Sequence, residues 1–175
     1  AIVRDITDHR DARIDYLTGL LNRREFEAQA QRLLSIAQRY QHPVVLAMAD
    51  IDHFKSVNDD LGHLVGDEVL RGVARALRAD LREADLAGRW GGEEFVLVLP
   101  ETSLDEGHRL VERLRRAIAS QELLPDRSVT VSFGLAQAGP GDSLRALQSR
   151  ADGALYQAKR SGRNRVEVDR EEEPD

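Results

Sequence analysis

Four acidic residues stand where a folded chain gains little from negative charge. In "MADIDHFK", Asp50 closes an otherwise apolar run and Asp52 follows two positions later. In "GRWGGEEFVLVLP", Gly88 to Pro100, Glu93 and Glu94 sit side by side next to Gly91 and Gly92. A carboxylate delivered by a buried strand is unfavourable unless it meets a cation. The chain has no cysteine, so a metal must be held by oxygen or imidazole. That selects a hard cation, magnesium with manganese as its substitute. Carboxylates converging at the end of a sheet hold such ions for phosphoryl chemistry, where two metals about 3.5–4 Å apart clamp the attacking and leaving oxygens.

Strand periodicity sharpens these roles. Asp50 and Asp52 share one face and Ile51 takes the other. Of Glu93 and Glu94, only one can join Asp50 on a given side, so one is expected to bind metal while the other faces elsewhere or acts on a proton. Asp52 has a second reading, as the N-cap of the helical turn "HFKSVND"; this explains Asp50 poorly. Gly91-Gly92 suits a tight primed hairpin turn, and it equally permits close approach of a phosphate or nucleotide. Lys55, five residues after Asp50, lies at a turn whose N–H groups could receive a triphosphate. Lys159 and Arg163, at i and i+4 in "AKRSGRN", add a basic pair near a helix end, where compensation of the helix dipole is the alternative explanation.

The elements that must position these groups follow from patterning. The 175 residues fit one domain, and 41% hydrophobic with 32% charged residues is an ordinary globular balance. Asn22 caps a helix through Phe26, Ala30, Leu33, Leu34 and Ala37 to about Tyr40, and "PVVLAMADID" reads as a strand buried on both faces. Further helices are expected from about His63 to Leu81, Ser103 to Ser120 and Ser143 to about Ser161. "DLAGRW" and "EEFVLVLP" form a hairpin; "SVTVSFGLAQA" and the short "NRVEVD" are strands. This order contains the β-α-β-β-α-β core of a ferredoxin-like α+β fold, a mostly antiparallel central sheet flanked by helices.

The ends and the charge narrow the function. "AIV" reads as a short strand and Thr7 as a helix cap, the exit of something upstream, while "REEEPD" is an acidic run expected to fray. A formal net charge of -6 argues against a broad nucleic-acid-binding face. No apolar run approaches the roughly 18 residues of a membrane span and no secretory signal opens the chain, so a cytoplasmic location without membrane contact is expected.

"LTGLLNRR", "DIDHFKSVNDDLGHLVGD" and "RWGGEEF", in this order and spacing, resemble the GGDEF family of diguanylate cyclases from about Asp15 to Val166. The resemblance implies a nucleotidyl-cyclase-like domain over residues 15–168, preceded through residue 14 by the end of a sensor and its linker helix. "RDIT" resembles the exit of a PAS sensor; residues 169–175 would be a disordered acidic tail. It implies that two GTP condense into cyclic di-GMP and two pyrophosphates across a homodimer, each 3′-hydroxyl attacking the α-phosphate of the opposite nucleotide. Asp50, the Ile51 carbonyl and Glu93 would hold magnesium, with two ions per half-site; Glu93 or Glu94 would take the 3′-hydroxyl proton. Phe54 and Lys55, with Lys159 and Arg163, would receive the β and γ phosphates, and Gly91-Gly92 would lie against the nucleotide.

Asn58 and Asp67 would read guanine, with His63 near the nucleotide or simply starting a helix. A carboxylate at position 67 accepts two hydrogen bonds from the guanine edge and is left unpaired by adenine, a mismatch of about 1–3 kcal/mol or more. Arg82 and Asp85 form R-x-x-D at the spacing of the family's inhibitory site for cyclic di-GMP, which Arg113 could also approach. A catalytically silent module that binds GTP or cyclic di-GMP is the competing reading, opposed by the intact "GGEEF", Asp50, Lys55, Asn58 and Asp67.

Overall fold

The computed structural model describes residues 12–170. The expected strand at "AIV", the cap at Thr7 and most of the acidic tail lie outside them. The order is α1 (Arg23–Tyr40), β1 (Val44–Ile51), α2 (Phe54–Leu61), α3 (His63–Ala79), β2 (Leu86–Gly91), β3 (Glu94–Pro100), α4 (Leu104–Ala119), β4 (Val131–Gln137), α5 (Leu144–Arg160) and β5 (Val166–Val168). The five strands lie in the order β2-β3-β1-β4-β5, with β4 and β5 parallel and every other pair antiparallel. The first four strands have the expected ferredoxin-like arrangement.

Local chemistry sets the helix ends where the sequence places them. The side chains of Asn22, Ser103 and Ser143 accept from the backbone N–H groups of Glu25, Glu106 and Ala146. At α4 the Glu106 carboxylate returns the favour to the Ser103 N–H, a reciprocal cap that satisfies two orphan donors. The strand "VVLAMADI" is apolar up to Asp50 because both of its faces are covered. Val44, Leu46 and Met48 join α1 and α5, with Phe26, Leu34, Ala151 and Leu155 among their neighbours. Val45, Ala47 and Ala49 join the larger core beneath α2, α3 and α4, with Val73, Leu77, Val111 and Leu114.

One close approach fixes how α5 lies on the sheet. A Cβ on Gly134 would collide with backbone atoms of Ala151 and Leu155, so helix backbone rests directly on β4 there. The same helix carries Lys159 in its last turn. Beyond β5, Asp169 donates its N–H to the Leu135 carbonyl and accepts from Arg150, so the hydrogen-bonded framework runs through that residue.

Candidate active site

Asp50 and Glu94 face one another directly, the last rung of the β1–β3 ladder. Cross-strand partners share a face of the sheet, here the face covered by α5. From that helix Lys159 Nζ donates to Asp50 Oδ2 at 2.7 Å. Lys159 therefore has a partner on β1 and does more than balance a helix dipole.

This corner holds more negative than positive charge. Burial pushes the Asp50 carboxyl above its ordinary value of 3.8, Lys159 pulls it back, and the neighbouring Asp52 raises it again. Arg163 also acts on Asp50 to lower it, which places the guanidinium near the site. Glu94 is raised above 4.5 by burial, then by Asp50 and Asp152, with a smaller contribution from Glu93. Asp152, two turns before Lys159 on α5, is itself raised by burial. Carboxylates whose ionised forms are disfavoured in this way are suited to a divalent ion.

The donor set fits magnesium in a particular manner. Among the described residues no three acidic or histidine side chains converge on one point. Two carboxylates and one carbonyl would leave half of an octahedral shell to substrate phosphate oxygens and water, a sharing usual for magnesium with nucleotides.

Glu93 stands apart from its neighbour, in the turn rather than on the strand. Its carbonyl accepts the Ile51 N–H at 3.2 Å, holding it beside the end of β1. The two glutamates are thus separated by a turn boundary, not by the pleat of one strand. The turn residues are Gly92 and Glu93, because Gly91 pairs with Glu94 across a register shift between Arg89 and Gly91. Neither Gly91 nor Gly92 adopts the left-handed backbone of a primed turn. A Cβ on Gly92 would meet nothing within 4 Å. Gly92 borders open space, a Cβ on Gly91 would lie 3.5 Å from the Glu94 carboxylate, and the primed-turn reading falls.

Asp52 departs from the expected helix cap. The cap position of α2 is His53, in left-handed conformation (φ 55°) and without a side-chain cap bond. Asp52 is 7% exposed and accepts from Thr130 Oγ1 (2.7 Å), Ser132 Oγ (2.6 Å) and the Asn164 N–H (2.9 Å). Since β1 ends at Ile51, period two no longer governs Asp52, and it turns to β4 and the α5–β5 loop.

The α2–α3 arm carries the remaining nucleotide-binding candidates. Phe54 is buried and Lys55 exposed at the start of α2. Asn58 is half-buried, its side chain lying over Gly66, where a Cβ would overlap Oδ1. Asp67 follows Gly66, half-buried, and His63 is exposed at the start of α3.

The R-x-x-D residues lie at the other end of the sheet. Arg82 donates to Asp85 through its backbone N–H (2.8 Å) and through Nη2 (3.1 Å), and Nη2 also reaches the Pro100 carbonyl and Thr102 Oγ1. Pro100 pairs with Val44, six rungs from the Asp50–Glu94 pair, which is about 20 Å at 3.3 Å per residue. Arg113 is exposed and paired with Asp80 at 3.0 Å. Arg82 and Arg113 therefore hold different aspartates.

Three contributors carry no local signal in the sequence: Asp152, Asn164 and Arg89. Arg89 donates to the Gly92 carbonyl from Nε (3.0 Å) and Nη2 (2.8 Å) and contacts Asp15 at 3.3 Å. It ties the segment before α1 to the turn that holds Glu93.

Comparison with known proteins gives this geometry its family. The family model described as diguanylate cyclase, GGDEF domain, matches residues 12–165. The chain belongs to the GGDEF family. This GGDEF domain is 46% identical to the diguanylate cyclase DgcP of Pseudomonas aeruginosa, over 88% of this chain and 23% of that protein. It is 44% identical to the diguanylate cyclase VdcA of Vibrio cholerae, over 90% of this chain and 47% of that protein. The domain thus spans about a quarter to a half of these curated relatives. Among solved structures it is similar to the GGDEF domain of DgcB from Caulobacter crescentus in complex with c-di-GMP, with a TM-score of 0.90, 37% identity and coverage of 94% and 97% of the two chains. No helix among the described residues is long and apolar enough to cross a membrane.

Proposed function

We propose that this domain is a working diguanylate cyclase: two copies, each holding one GTP, condense their substrates into cyclic di-GMP and two pyrophosphates. The observation that carries the reading is the Asp50–Glu94 pair at the end of the sheet, both carboxyls raised, with Lys159 against Asp50. Asp50, the Ile51 carbonyl and Glu93 would hold magnesium, with manganese as a substitute, at two ions per half-site. When bound, the metal neutralises phosphate charge and lowers the pKa of the attacking hydroxyl.

The chain's own residues do the rest. Lys159, which donates to Asp50 in this structure, would turn to a phosphate oxygen, joined by Arg163, Lys55 and the N–H groups beginning at Phe54. Gly91 and Gly92 leave room for the nucleotide. Asn58 and Asp67 read the guanine edge beside His63 and reject adenine, which presents an N1 acceptor and no 2-amino group to the Asp67 carboxylate. Glu94, raised above its ordinary value by Asp50 and by burial, is suited to receive the 3′-hydroxyl proton. Most of the rate comes from alignment across the two copies and from charge neutralisation.

Product feedback through Arg82 and Asp85, with Arg113 alongside, belongs to the same proposal. The c-di-GMP in the DgcB complex supports binding of this product on this frame. An upstream sensor in a longer chain would set how often two domains meet.

The decisive experiment incubates the domain with GTP and magnesium, identifies products by mass spectrometry and repeats the assay across protein concentrations. Cyclic di-GMP formed with second-order dependence on protein is expected. GTP bound without turnover at any concentration, even with two domains fused, would instead favour the silent receptor.

A further inference from the structure

We propose that Asn164 is a positioning residue for substrate phosphate, acting through its neighbour Arg163; this rests on the nucleotide reading above. The chain leaves α5 through an unusual corner. Gly162, Arg163 and Asn164 all have positive φ, at 118°, 62° and 46°. Consecutive left-handed residues with side chains are disfavoured and persist only where surrounding contacts over-determine them. Asparagine tolerates this region better than most residues.

The surrounding contacts are specific. The Asn164 N–H donates to the buried Asp52 carboxylate at 2.9 Å. The Asn164 Oδ1 accepts from Arg115 Nη1 of α4 at 2.7 Å. Arg115 is itself fixed by Glu112, and its side chain is 16% exposed. The Arg163 N–H donates to the Ala158 carbonyl at 3.0 Å, tying the corner back to α5. Asp52 in turn is held by Thr130 and Ser132 of the β4 region. The corner is therefore bolted to β4, α4 and α5 together.

What the bolts present is Arg163. Its side chain is exposed, and its backbone stands between Ala158, next to the Lys159 that reaches Asp50, and Asn164, which holds Asp52 two residues past Asp50. A long flexible cation on a free loop would spread over many directions; on a fixed corner it starts from one. Burying Asp52 with three donors is also unfavourable without a purpose served elsewhere, since a buried carboxylate must be fully hydrogen-bonded to be tolerated. The clamp gives that carboxylate its function: it holds the backbone of the phosphate-facing corner.

The test uses 3′-deoxyguanosine triphosphate with magnesium, which binds but cannot condense, and 3′-deoxyguanosine monophosphate as control. Asn164→Ala should weaken the triphosphate about tenfold and the monophosphate hardly at all, as expected for loss of one charge-assisted contact. Asn164→Gly keeps the backbone conformation and loses only the Arg115 bond, so it should fall between wild type and Asn164→Ala. In an Arg163→Ala background, Asn164→Ala should add no further loss. Equal weakening of both nucleotides, or undiminished loss in the Arg163→Ala background, would show a purely structural role and overturn the inference. So would triphosphate affinity unchanged in Asn164→Ala. Should the wild-type protein bind neither nucleotide, the nucleotide reading fails and takes this inference with it.

Discussion

Two buried aspartates with basic partners stand at opposite ends of the sheet, and they are held in opposite ways. Asp85, whose side chain is fully buried, receives the Arg82 backbone and guanidinium together, and that guanidinium also reaches Pro100 and Thr102. Asp50 has one lysine, while Asp52 at its side and Glu94 across from it add negative charge. The first arrangement is closed upon itself; the second is incomplete in charge. A site for chemistry on a charged substrate needs the second kind, because interactions already satisfied in the protein have nothing left to give a ligand. A regulatory contact can begin from the first kind, provided the ligand can replace what Arg82 already holds.

The sharpest way to break this comparison is to neutralise the strained end. Glu94→Gln should lower turnover by at least about a hundredfold, as for loss of a general base or metal-facing carboxylate. It should also raise the metal-free Tm, by roughly 2–4 °C for each kcal/mol of repulsion relieved in a domain of this size. Calorimetry beside the activity assay checks both; a fall in Tm would show that Glu94 is not under electrostatic strain.

Base selection comes next. Asp67→Ala should reduce the preference for GTP over ATP by about tenfold to a hundredfold, the scale of one lost bidentate contact. Competition binding measures it, and unchanged preference would remove Asp67 from the guanine pocket.

At the closed end, added cyclic di-GMP should inhibit wild type, and Arg82→Ala should lose that inhibition. Because Asp85 then keeps only the residue-82 N–H among these donors, the variant should also lose about 1–3 kcal/mol of stability. Arg113→Ala, breaking only an exposed ion pair, should leave Tm nearly unchanged while weakening inhibition to a smaller extent. Wild type and both variants equally insensitive to product would end the feedback proposal.

The smallest effect is with pH. Asp50 and Glu94 are raised in the folded protein relative to their ordinary values of 3.8 and 4.5. The native state therefore binds more protons than the unfolded chain, and these groups make stability fall as pH rises from those values through the raised native ones. Magnesium with nucleotide should remove this decline, since it favours the ionised forms. Thermal melts across that acidic range, with and without magnesium and GTP, read the difference.

Much of the frame was legible because its determinants are local. Asn22, Ser103 and Ser143 announce their helices, and the apolar run before Asp50 announces a strand covered on both sides. The site was legible in composition but not in pairing. Asp50 meets Glu94 because β1 and β3 pair in one unbroken register from Val44–Pro100 onward, a long-range match that no local pattern specifies. Asp52 was open to a helix-cap reading because its partners lie 78 to 112 residues away. Arg89 and Asp152 carry no local sign of their places: the first reaches the Gly92 carbonyl, and the second acts on Glu94 only because α5 packs on the sheet beside it.

The contact at Gly134 sets a limit on how this domain can be switched. With backbone lying on backbone, α5 has no cushion of side chain along which to slide, so the helix end that carries Lys159 moves only with the sheet. On the proposed two-copy mechanism, control would then act on how whole domains are oriented toward one another, as two halves of a rigid mould are opened or closed.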